Sequence, residues 1–487
     1  MWNWPLTQRR LAERSLLVRA LLATTFALSF AACSPDSGTA EDQAGAFRSP
    51  LGYMAPEPQR PGSPAAGYDA LVNKAYVTCG IPYAAYKRSG SFPAAERRLP
   101  GRTGRNAELP YNLTAHVSRS GVEVVAFNCL TCHAAEFNGQ LIVGLGNESL
   151  DFTRDARTVA EGAGTYVAGA AETAEWRKWA NRMAAIAPYI KTDTIGVNPA
   201  VNLTWALFAH RDARTLAWSD KLLIEPPPEK PLPVSVPPWW RMKKKNTMFY
   251  TAAGRGDHAR AMILASTLCT DSVEEARAID AYAPDIRAYI ASLEPPKYPF
   301  DIDRKLADQG RGVFLQHCSA CHGTYGAQAT YPNLVIALDV GGTDPALAQA
   351  AVSGEEDRFF RWMAQSFYGE NSRLAPAPGY VAPPLDGVWA TAPYLHNGSV
   401  PTISALLESA KRPKYWVRSV ESPGFDPRAL GWKHTELPYG KAGAADADER
   451  KRIYDTTLPG YSNQGHTFGD VFTGAERAAV LEYLKTL

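Results

Sequence analysis

The sequence has no excess of charge of either sign, few cysteines and no long apolar run beyond its first residues. Its 51 Lys and Arg residues balance 49 Asp and Glu residues, so it lacks the basic surface typical of nucleic-acid-binding proteins. Seven Cys in 487 residues are too few for a disulfide scaffold. After residue 33 no stretch approaches 18 consecutive apolar residues, which predicts a soluble body.

The composition also lacks the signature of a disordered chain. Hydrophobic residues make up 45% of the sequence and Trp occurs 12 times, which is enough to build large cores. The length predicts roughly three domain-sized units of about 150 residues. With 38 Gly and 37 Pro, long ordered loops should connect the regular elements.

The first residues resemble an export signal. Four Arg between residues 9 and 19 precede an uncharged run over 20–32, which is too short to span a membrane. The run ends in Phe-Ala-Ala-Cys33, which resembles a lipoprotein box. We therefore predict a lipoprotein-type signal peptide over 1–32, a flexible tether over 33–67 and a periplasmic protein held at the outer membrane only by its lipid. Ordinary signal cleavage, with Cys33 left unmodified, is the alternative.

Two C-x-x-C-H strings, at 129–133 and 318–322, match the pattern of covalent haem attachment. Thiols three positions apart share one helical turn and can bond the two vinyl groups of one haem, while the adjacent His ligates the iron. A thioredoxin-like motif or a structural zinc site would not require His after both pairs. The pattern predicts two haem c groups, held by Cys129, Cys132, Cys318 and Cys321, with His133 and His322 as proximal ligands.

Two further cysteines, Cys79 and Cys269, remain once haem and lipid are assigned. Both fall in the half of the chain that carries the first haem motif. A disulfide between them and a pair of buried free thiols are equally compatible with the sequence.

The second motif follows a segment of helical period over 306–317, with Gly310 on its apolar face. A small residue there predicts close packing of another helix. The partner should be the last segment, which starts with a capping box from Thr473 to Glu476. First and last helices crossing beside a haem resemble the layout of class I cytochromes c.

The first half is less regular. Alternating apolar residues over 122–126 predict a strand before Cys129, a helix face runs from Trp176 to Ile190, and Pro284 opens another helix. Residues 294–299 read as a joint. We predict a mainly α fold of two cytochrome c-like haem domains, 68–297 and 298–487, with long loops and little β-structure.

Three strings go beyond a generic cytochrome c: Ala-Pro-Tyr-Leu-His-Asn-Gly-Ser over 392–399, Trp-Trp-Arg-Met-Lys-Lys-Lys over 239–245, and Gly-Arg-Gly-Asp-His over 254–258. The first resembles the di-haem cytochrome c peroxidase superfamily. With the Trp pair and Asn-Gln-Gly-His over 463–466, the chain from about Tyr68 onward is most similar to the rubber-oxygenase-like di-haem cytochromes.

That resemblance implies a division of labour between the haems. The haem on His133 would keep one exchangeable face for dioxygen, and the haem on His322 would have His466 as second ligand and pass electrons. Trp239 and Trp240 match the aromatic pair near the active haem, and Phe249 or Tyr250 would line its pocket. Related peroxidases also add calcium between the domains as a candidate ion.

Several assignments have rivals within the sequence. His396 is the alternative second ligand to His466, and Met363 fits either a thioether ligand or core packing. His116, His210 and His258 are the candidate sixth ligands if the first haem is not open. The lysines over 243–245 fit a solvated face, a neutralising partner for haem propionates or a docking patch for an acidic electron donor.

Three functions follow from these assignments. The first is an oxygenase acting on an apolar substrate with dioxygen. The second is a peroxidase using hydrogen peroxide, for which Glu136 and His116 are the candidate acid–base groups. The third is a carrier with both irons fully ligated. The enzyme readings predict a periplasmic electron-transfer protein as partner and exclude nucleic acid.

Overall fold

Amphipathic helices and short strands build the part of the chain before residue 298. A computed structural model describes residues 52–90, 97–420 and 424–487. The helices here are α1 Pro64–Asn73, α2 Tyr83–Arg88, α3 Leu130–His133, α4 Ala156–Gly164, α5 Gly169–Ile190, α6 Ala200–Ala209, α7 His258–Met262, α8 Val273–Asp280 and α9 Ala283–Ser292. The strands are β1 Ile81–Pro82, β2 Leu113–Val117, β3 Glu123–Phe127, β4 Ala134–Phe137, β5 Gln140–Val143 and β6 Gly254–Gly256. Single 3-10 turns cover Gly104–Glu108, Trp239–Lys244 and Leu264–Leu268.

Three predicted elements are confirmed in this region. The strand before Cys129 is β3, the middle strand of an antiparallel sheet ordered β1-β3-β2. The predicted helix face lies on α5, where Trp179, Ile186 and Ile190 are buried. Pro284 lies in the first turn of α9, where a residue without an N–H is tolerated.

The rest of the chain has the same mixture. Its helices are α10 Arg304–His317, α11 Ser319–His322, α12 Leu338–Gly341, α13 Ala346–Val352, α14 Asp357–Gln365, α15 Ile403–Leu406, α16 Ala447–Arg452 and α17 Gly474–Leu484. Its strands are β7 Val335–Ala337, β8 Ser372–Leu374, β9 Gly379–Val381, β10 Tyr415–Val417, β11 Phe425–Asp426, β12 Gly431–Trp432, β13 Thr435–Glu436 and β14 Tyr454–Asp455. Single 3-10 turns cover Phe367–Gly369, Val388–Ala390, Ser409–Lys411 and Lys441–Gly443.

The crossing of first and last helices around the second motif is confirmed. A Cβ at Gly310 of α10 would overlap the backbone oxygen of Ala479 in α17, so only glycine allows this approach. Thr473 and Glu476 form the predicted capping box at the start of α17.

The expectation of little β-structure is only partly met. About 40% of the structure is helical and 12% is strand, distributed over small sheets of two or three strands. Several of these pair segments far apart in sequence, such as β6 with β8. The fold is therefore a mixed one in which small sheets fasten long loops.

The expected tether over 33–67 is wrong for its second part. Residues 52–63 run along the body: Met54 donates its N–H to the Asn333 oxygen, and Arg60 forms a bidentate ion pair with Asp280. Helix α1 then begins at Pro64, with Ser63 as its N-cap. The composition is rich in Pro and Gly because the segment is extended and packed, not because it is loose. The signal peptide, Cys33 and residues 33–51 lie outside the described residues.

Hydrophobic packing crosses the predicted boundary at 297/298. One buried cluster joins Trp205 and Phe208 of α6 to Trp362 and Met363 of α14. A second joins Leu145 and Trp240 to a large set from the C-terminal part. The described residues form one compact unit, so the two motifs lie in a body with shared cores.

Two remaining features concern covalent linkage and membranes. Cys79 and Cys269 form a disulfide across 190 residues of sequence, which resolves the alternative left by the sequence. Among the residues that the structure describes, no helix combines the length and apolar character needed to cross a bilayer.

Candidate functional site

The first C-x-x-C-H string forms one helical turn at the end of β3. Its buried neighbour Asn128 fixes the turn: the side-chain amide donates to the Tyr111 oxygen and to Thr114 Oγ1, and Asn128 Oδ1 accepts from the Leu130 N–H. Cys129 and Cys132 are free thiols within this turn and are not bonded to each other. Two free thiols on one turn, followed by His, fit covalent attachment of one haem.

The His133 ring lies against the Trp239 indole. Their centroids are 4.8 Å apart and the planes are 21° from parallel. Gly144 joins the two segments, because its N–H donates to the His133 oxygen and its carbonyl accepts from the Trp239 N–H. Burial lowers the pKa of His133 to about 4, so the imidazole is in the neutral form that binds a metal.

An apolar cluster surrounds this first motif. Its fully buried members are Ala70, Leu71, Leu130, Ala134, Trp239, Ile286 and Ile290. Met262 and Tyr282 pack against it at its edge. The cluster supplies the low-polarity walls that a haem requires.

The three candidate sixth ligands lie in separate settings. His116 is on β2 opposite Val124, His210 stacks on Trp218, and His258 is buried at the start of α7. Within the described ranges, the Trp239 indole is the one aromatic or imidazole ring that contacts the His133 ring.

The second C-x-x-C-H string sits where α10 turns into α11. Cys318 and Cys321 are again free thiols. His322 Nδ1 lies 2.8 Å from the Pro383 carbonyl oxygen, to which it can donate. Such a bond orients a ligating imidazole and leaves the other nitrogen free for the metal.

The ring of His466 faces that of His322 at a centroid distance of 6.2 Å. An iron with an imidazole nitrogen about 2.0–2.1 Å away on each side requires a ring separation of about 6 Å. Burial lowers the pKa of His466 to about 4, and its Nδ1 has no hydrogen-bond partner. These two side chains therefore fit a haem iron held from both faces.

The loop carrying His466 is held in an unusual backbone conformation. His466 has a φ of 47°, and a Cβ at Gly465 would overlap the backbone of Gly342. The His466 N–H donates to the Gly341 oxygen at 2.7 Å, and the Arg412 guanidinium donates to the oxygens of Gly465 and His466. Strain of this kind persists only where surrounding contacts enforce it, and it is concentrated at functional sites.

His396, the alternative ligand, lies in another environment. Its ring stacks on Tyr380 at 4.0 Å and meets the edge of Tyr250 at 6.2 Å. Burial lowers its pKa to about 3. Met363 is fully buried in the cluster shared by α6 and α14. The structure thus places His466 opposite His322. It places His396 and Met363 elsewhere.

The Trp-Trp-Arg segment runs between the two motifs. Trp239 stacks on His133, whereas the fully buried Trp240 donates its Nε1–H to the Asp386 oxygen at 2.8 Å. Asp386 lies three residues after Pro383, the partner of His322. One short 3-10 turn therefore touches the surroundings of both motifs.

Phe249 does not line an interior pocket. Its side chain belongs to a residue that is 43% exposed, at a turn with a φ of 66°. The neighbouring Tyr250 points inward to His396. Of the two aromatics, Tyr250 faces the interior, and the role of Phe249 at the active haem stays a prediction from the resemblance. Glu136, an acid–base candidate, lies at the surface near Arg97.

Sequence reasoning missed a buried carboxylate close to the first motif. Glu148 Oε1 accepts from Ser235 Oγ and from the Val236 N–H, both at 2.8 Å. Burial raises the pKa of Glu148 to about 7, and the neighbouring Arg418 opposes this only weakly. Pro383 and Arg412 were missed as well, since a backbone carbonyl and a loop-holding Arg leave no sequence motif.

The described residues do not form a recognisable calcium site. Across 52–90, 97–420 and 424–487, no three His, Cys, Asp or Glu side chains converge so as to hold a metal ion. Calcium therefore stays a prediction from the resemblance alone.

A known protein family matches the segment that packs beside the second motif. Residues 379–417 match the family described as RoxA-like, cytochrome c-like. This segment contains Pro383, Asp386 and Arg412. The match supports a relationship to RoxA-like di-haem cytochromes and implies covalently bound haem c.

Two relatives from Sinorhizobium fredii (strain NBRC 101917 / NGR234) are similar over part of the chain. The uncharacterized protein y4iJ is 32% identical over 292 residues, which is 46% of this chain and 47% of that protein. The uncharacterized protein y4iM is 31% identical over 231 residues, or 41% of this chain and 52% of that protein. The chain thus aligns with about half the length of each relative.

Proposed function

We propose that the chain is an exported di-haem c-type cytochrome that acts as an oxidoreductase. The haem at Cys129 and Cys132 would react with dioxygen or peroxide, and the haem at Cys318 and Cys321 would exchange electrons with it. The observation that carries this proposal is the unequal surroundings of the two motif histidines. His322 faces a second imidazole at 6.2 Å, whereas His133 lies against an indole.

The protein side chains hold and orient the cofactors. When bound, haem c supplies the one-electron chemistry of its iron. His133 and His322, both kept neutral by burial, would be the proximal ligands. The Pro383 carbonyl fixes the tautomer of His322, and Arg412 holds the His466 loop in place. The apolar cluster around Leu130 would exclude water from the first haem.

The location and partner rest on the start of the sequence. Its export-type segment supports a periplasmic protein anchored by lipid, and covalent haem attachment takes place outside the cytoplasm. A periplasmic electron-transfer protein would then be the electron donor. Globomycin treatment of cells and mass determination of Cys33 would test the anchor, and an unmodified mature N-terminus elsewhere would remove it.

Mass spectrometry and spectroscopy of the purified holoprotein test the central proposal. We expect two haem adducts, one low-spin haem and one haem whose spectrum changes with added small ligands. Consumption of dioxygen would then favour the oxygenase, and turnover of hydrogen peroxide the peroxidase. Fewer than two adducts, or two haems unresponsive to every ligand, would overturn the proposal and leave a carrier at most.

The Trp pair gives a second test of electron exchange between the sites. Trp239→Phe and Trp240→Phe should each slow the reduction of one haem by the other, because the pair connects His133 to the segment that holds His322. Trp205→Phe is the matched control, since this buried indole belongs to a cluster that contains neither motif. Rates that are equal in all three variants would exclude the pair from the path.

A further inference from the structure

Three basic side chains beside the first motif make no direct ion pair with a carboxylate in the described part of the chain. They are Lys245, His258 and Arg287. The two lysines immediately before Lys245 are paired: Lys243 with Glu294 at 2.5 Å and Lys244 with Asp386 at 2.7 Å. Lys245 has no such pair, although it is half-buried.

Burial makes this lack of partners costly. His258 is 3% exposed and its Nε2 makes no hydrogen bond. The Nε of Arg287 is buried and also makes none. Leaving a buried donor or acceptor unsatisfied is unfavourable, and more so when the group is charged. Two such atoms on neighbouring elements indicate that a polar group is missing beside them.

The nearby acid is already engaged. Asp257 forms an ion pair with Arg60 and accepts from the Ala259 N–H. Asp257 also acts on His258 and Arg287, so this one carboxylate is shared among several cations, and Lys245 has none. Burial, together with Arg287 and Lys245, lowers the pKa of His258 to about 4. Burial and Arg241 lower the pKa of Lys245 to about 8. A buried anion would relieve both effects.

The basic groups belong to elements that wall the first motif. Lys245 follows the Trp239–Lys244 turn, whose first residue stacks on His133. His258 lies one turn before Met262 on α7, and residues four apart share a helix face. Met262 packs against the cluster that includes Leu130 of the motif. Lys245 and His258 thus lie at the rim of that cluster.

Helix α9 carries Arg287 along the same cluster. Tyr282, at its N-cap, packs against the cluster around the motif, and Ile286 and Ile290 belong to that cluster. Arg287 comes five residues after Tyr282, which is about 7.5 Å along a helix. Arg287 is therefore the basic side chain that α9 carries beside this cluster.

We propose that Lys245, His258 and Arg287 form the binding site for the propionate carboxylates of the haem attached to Cys129 and Cys132. The inference rests on the proposed function, because it requires a haem at that motif. Ionised propionates accept hydrogen bonds only. Lys245 and Arg287 offer donors, and the His258 Nε2 offers one once the propionate charge favours the protonated ring. Charge-assisted bonds of this kind are about twice as strong as neutral ones.

The site has a consequence for the redox equilibrium of the first haem. Reduction adds one negative charge, so nearby cations favour the reduced state. Lys245→Gln and Arg287→Gln should each shift the reduced-to-oxidised ratio of that haem at least threefold toward oxidised. This equals about 30 mV at 59 mV per tenfold for a one-electron couple. The low-spin haem of the second site should shift less.

Spectroelectrochemical titration of the holoprotein at constant ionic strength measures this shift. Lys243→Gln is the matched control, because it removes the same charge from the same segment at a lysine already paired with Glu294. Lys245→Arg and Arg287→Lys keep the charge and should restore the potential. A shift in Lys243→Gln as large as in the other two, or no restoration by the charge-preserving variants, overturns the inference.

Haem occupancy separates this inference from the proposed function. Mass spectrometry of the peptide containing 129–133 reports whether haem is attached. If that peptide carries no haem, both proposals fail. If it carries haem and the potential is unchanged in Lys245→Gln and Arg287→Gln, only the propionate site fails.

Discussion

Individual imidazoles in this chain are distinguished by what lies around their rings. His322 has a carbonyl acceptor behind it and a second imidazole in front, His133 has an indole beside it, and His396 stacks on a phenol. Burial lowers the pKa of all three rings, so a neutral imidazole alone does not identify a ligand. The group that each ring contacts distinguishes a ligand from a packed side chain.

Removing the His466 imidazole should change the spin state of the second haem. We expect His466→Ala to convert a low-spin ferric spectrum into a high-spin one, since an imidazole ligand would be lost. Electron paramagnetic resonance of the holoprotein measures this. His396→Phe, which keeps a ring on Tyr380, should leave the spectrum unchanged. The opposite pattern would make His396 the ligand.

Glu148 should make stability depend on pH. Because burial raises its pKa in the folded state to about 7, above the usual 4.5, the folded protein retains a proton that the unfolded chain loses between those values. Stability therefore falls as pH rises through this window, by up to ~3 kcal/mol. Glu148→Gln has no such proton, so its stability relative to wild type should increase from pH 4.5 to pH 7.

Calorimetric unfolding at several pH values checks this expectation. The exposed Glu161 provides a control, since Glu161→Gln should leave the pH profile as it is. A Glu148→Gln profile that runs parallel to the wild-type profile between pH 4.5 and 7 would show that Glu148 is already ionised at the lower end.

At the scale of helices and strands, local sequence patterns carried most of the predictions that succeeded. The period of α10, the capping box of α17 and the alternation in β3 involve residues close in sequence, so each pattern reports its own element. The His466 loop could not be derived in this way. Its conformation depends on Gly342 and Arg412, which are distant in sequence and reach it only in the folded chain.

The crossing of α10 with α17 can be tested at two glycines on one helix. Gly310→Ala would place a methyl group against the Ala479 backbone, and we expect a loss of about 1–3 kcal/mol from overpacking. A Cβ at Gly312 meets nothing within 4 Å, so Gly312→Ala should stabilise the helix by up to about 1 kcal/mol. Thermal unfolding of both variants gives the comparison. Equal effects at the two positions would mean that the helices do not approach closely at Gly310.

At the scale of the whole molecule, the sequence predicted two haem domains. The described residues instead form one compact unit, in which hydrophobic clusters include residues from both predicted domains. The Pro-rich joint over 294–299 has the composition of a linker, but composition does not report which surfaces meet after folding. The β6–β8 pairing and the cluster of α6 with α14 both connect the two sides of that joint. Such contacts depend on residues over a hundred positions apart and leave no local signal.

A fragment from residue 298 to 487 should therefore not fold as an independent unit. It would expose Trp362, Met363 and Phe359, which are buried against α6 in the full chain. We expect a non-cooperative thermal transition and binding of a hydrophobic dye, in contrast to the full chain. Cooperative unfolding of the fragment, with a low-spin haem retained, would establish a separable domain.

The Cys79–Cys269 disulfide has a consequence for how the protein is made. Joining that pair removes two electrons, whereas thioether formation at Cys129, Cys132, Cys318 and Cys321 requires those sulfurs to be reduced. An oxidant that acts on all six sulfurs alike would trap the haem thiols before attachment. Maturation must therefore sort the cysteines, either by closing Cys79 to Cys269 early or by delivering haem ahead of the oxidant.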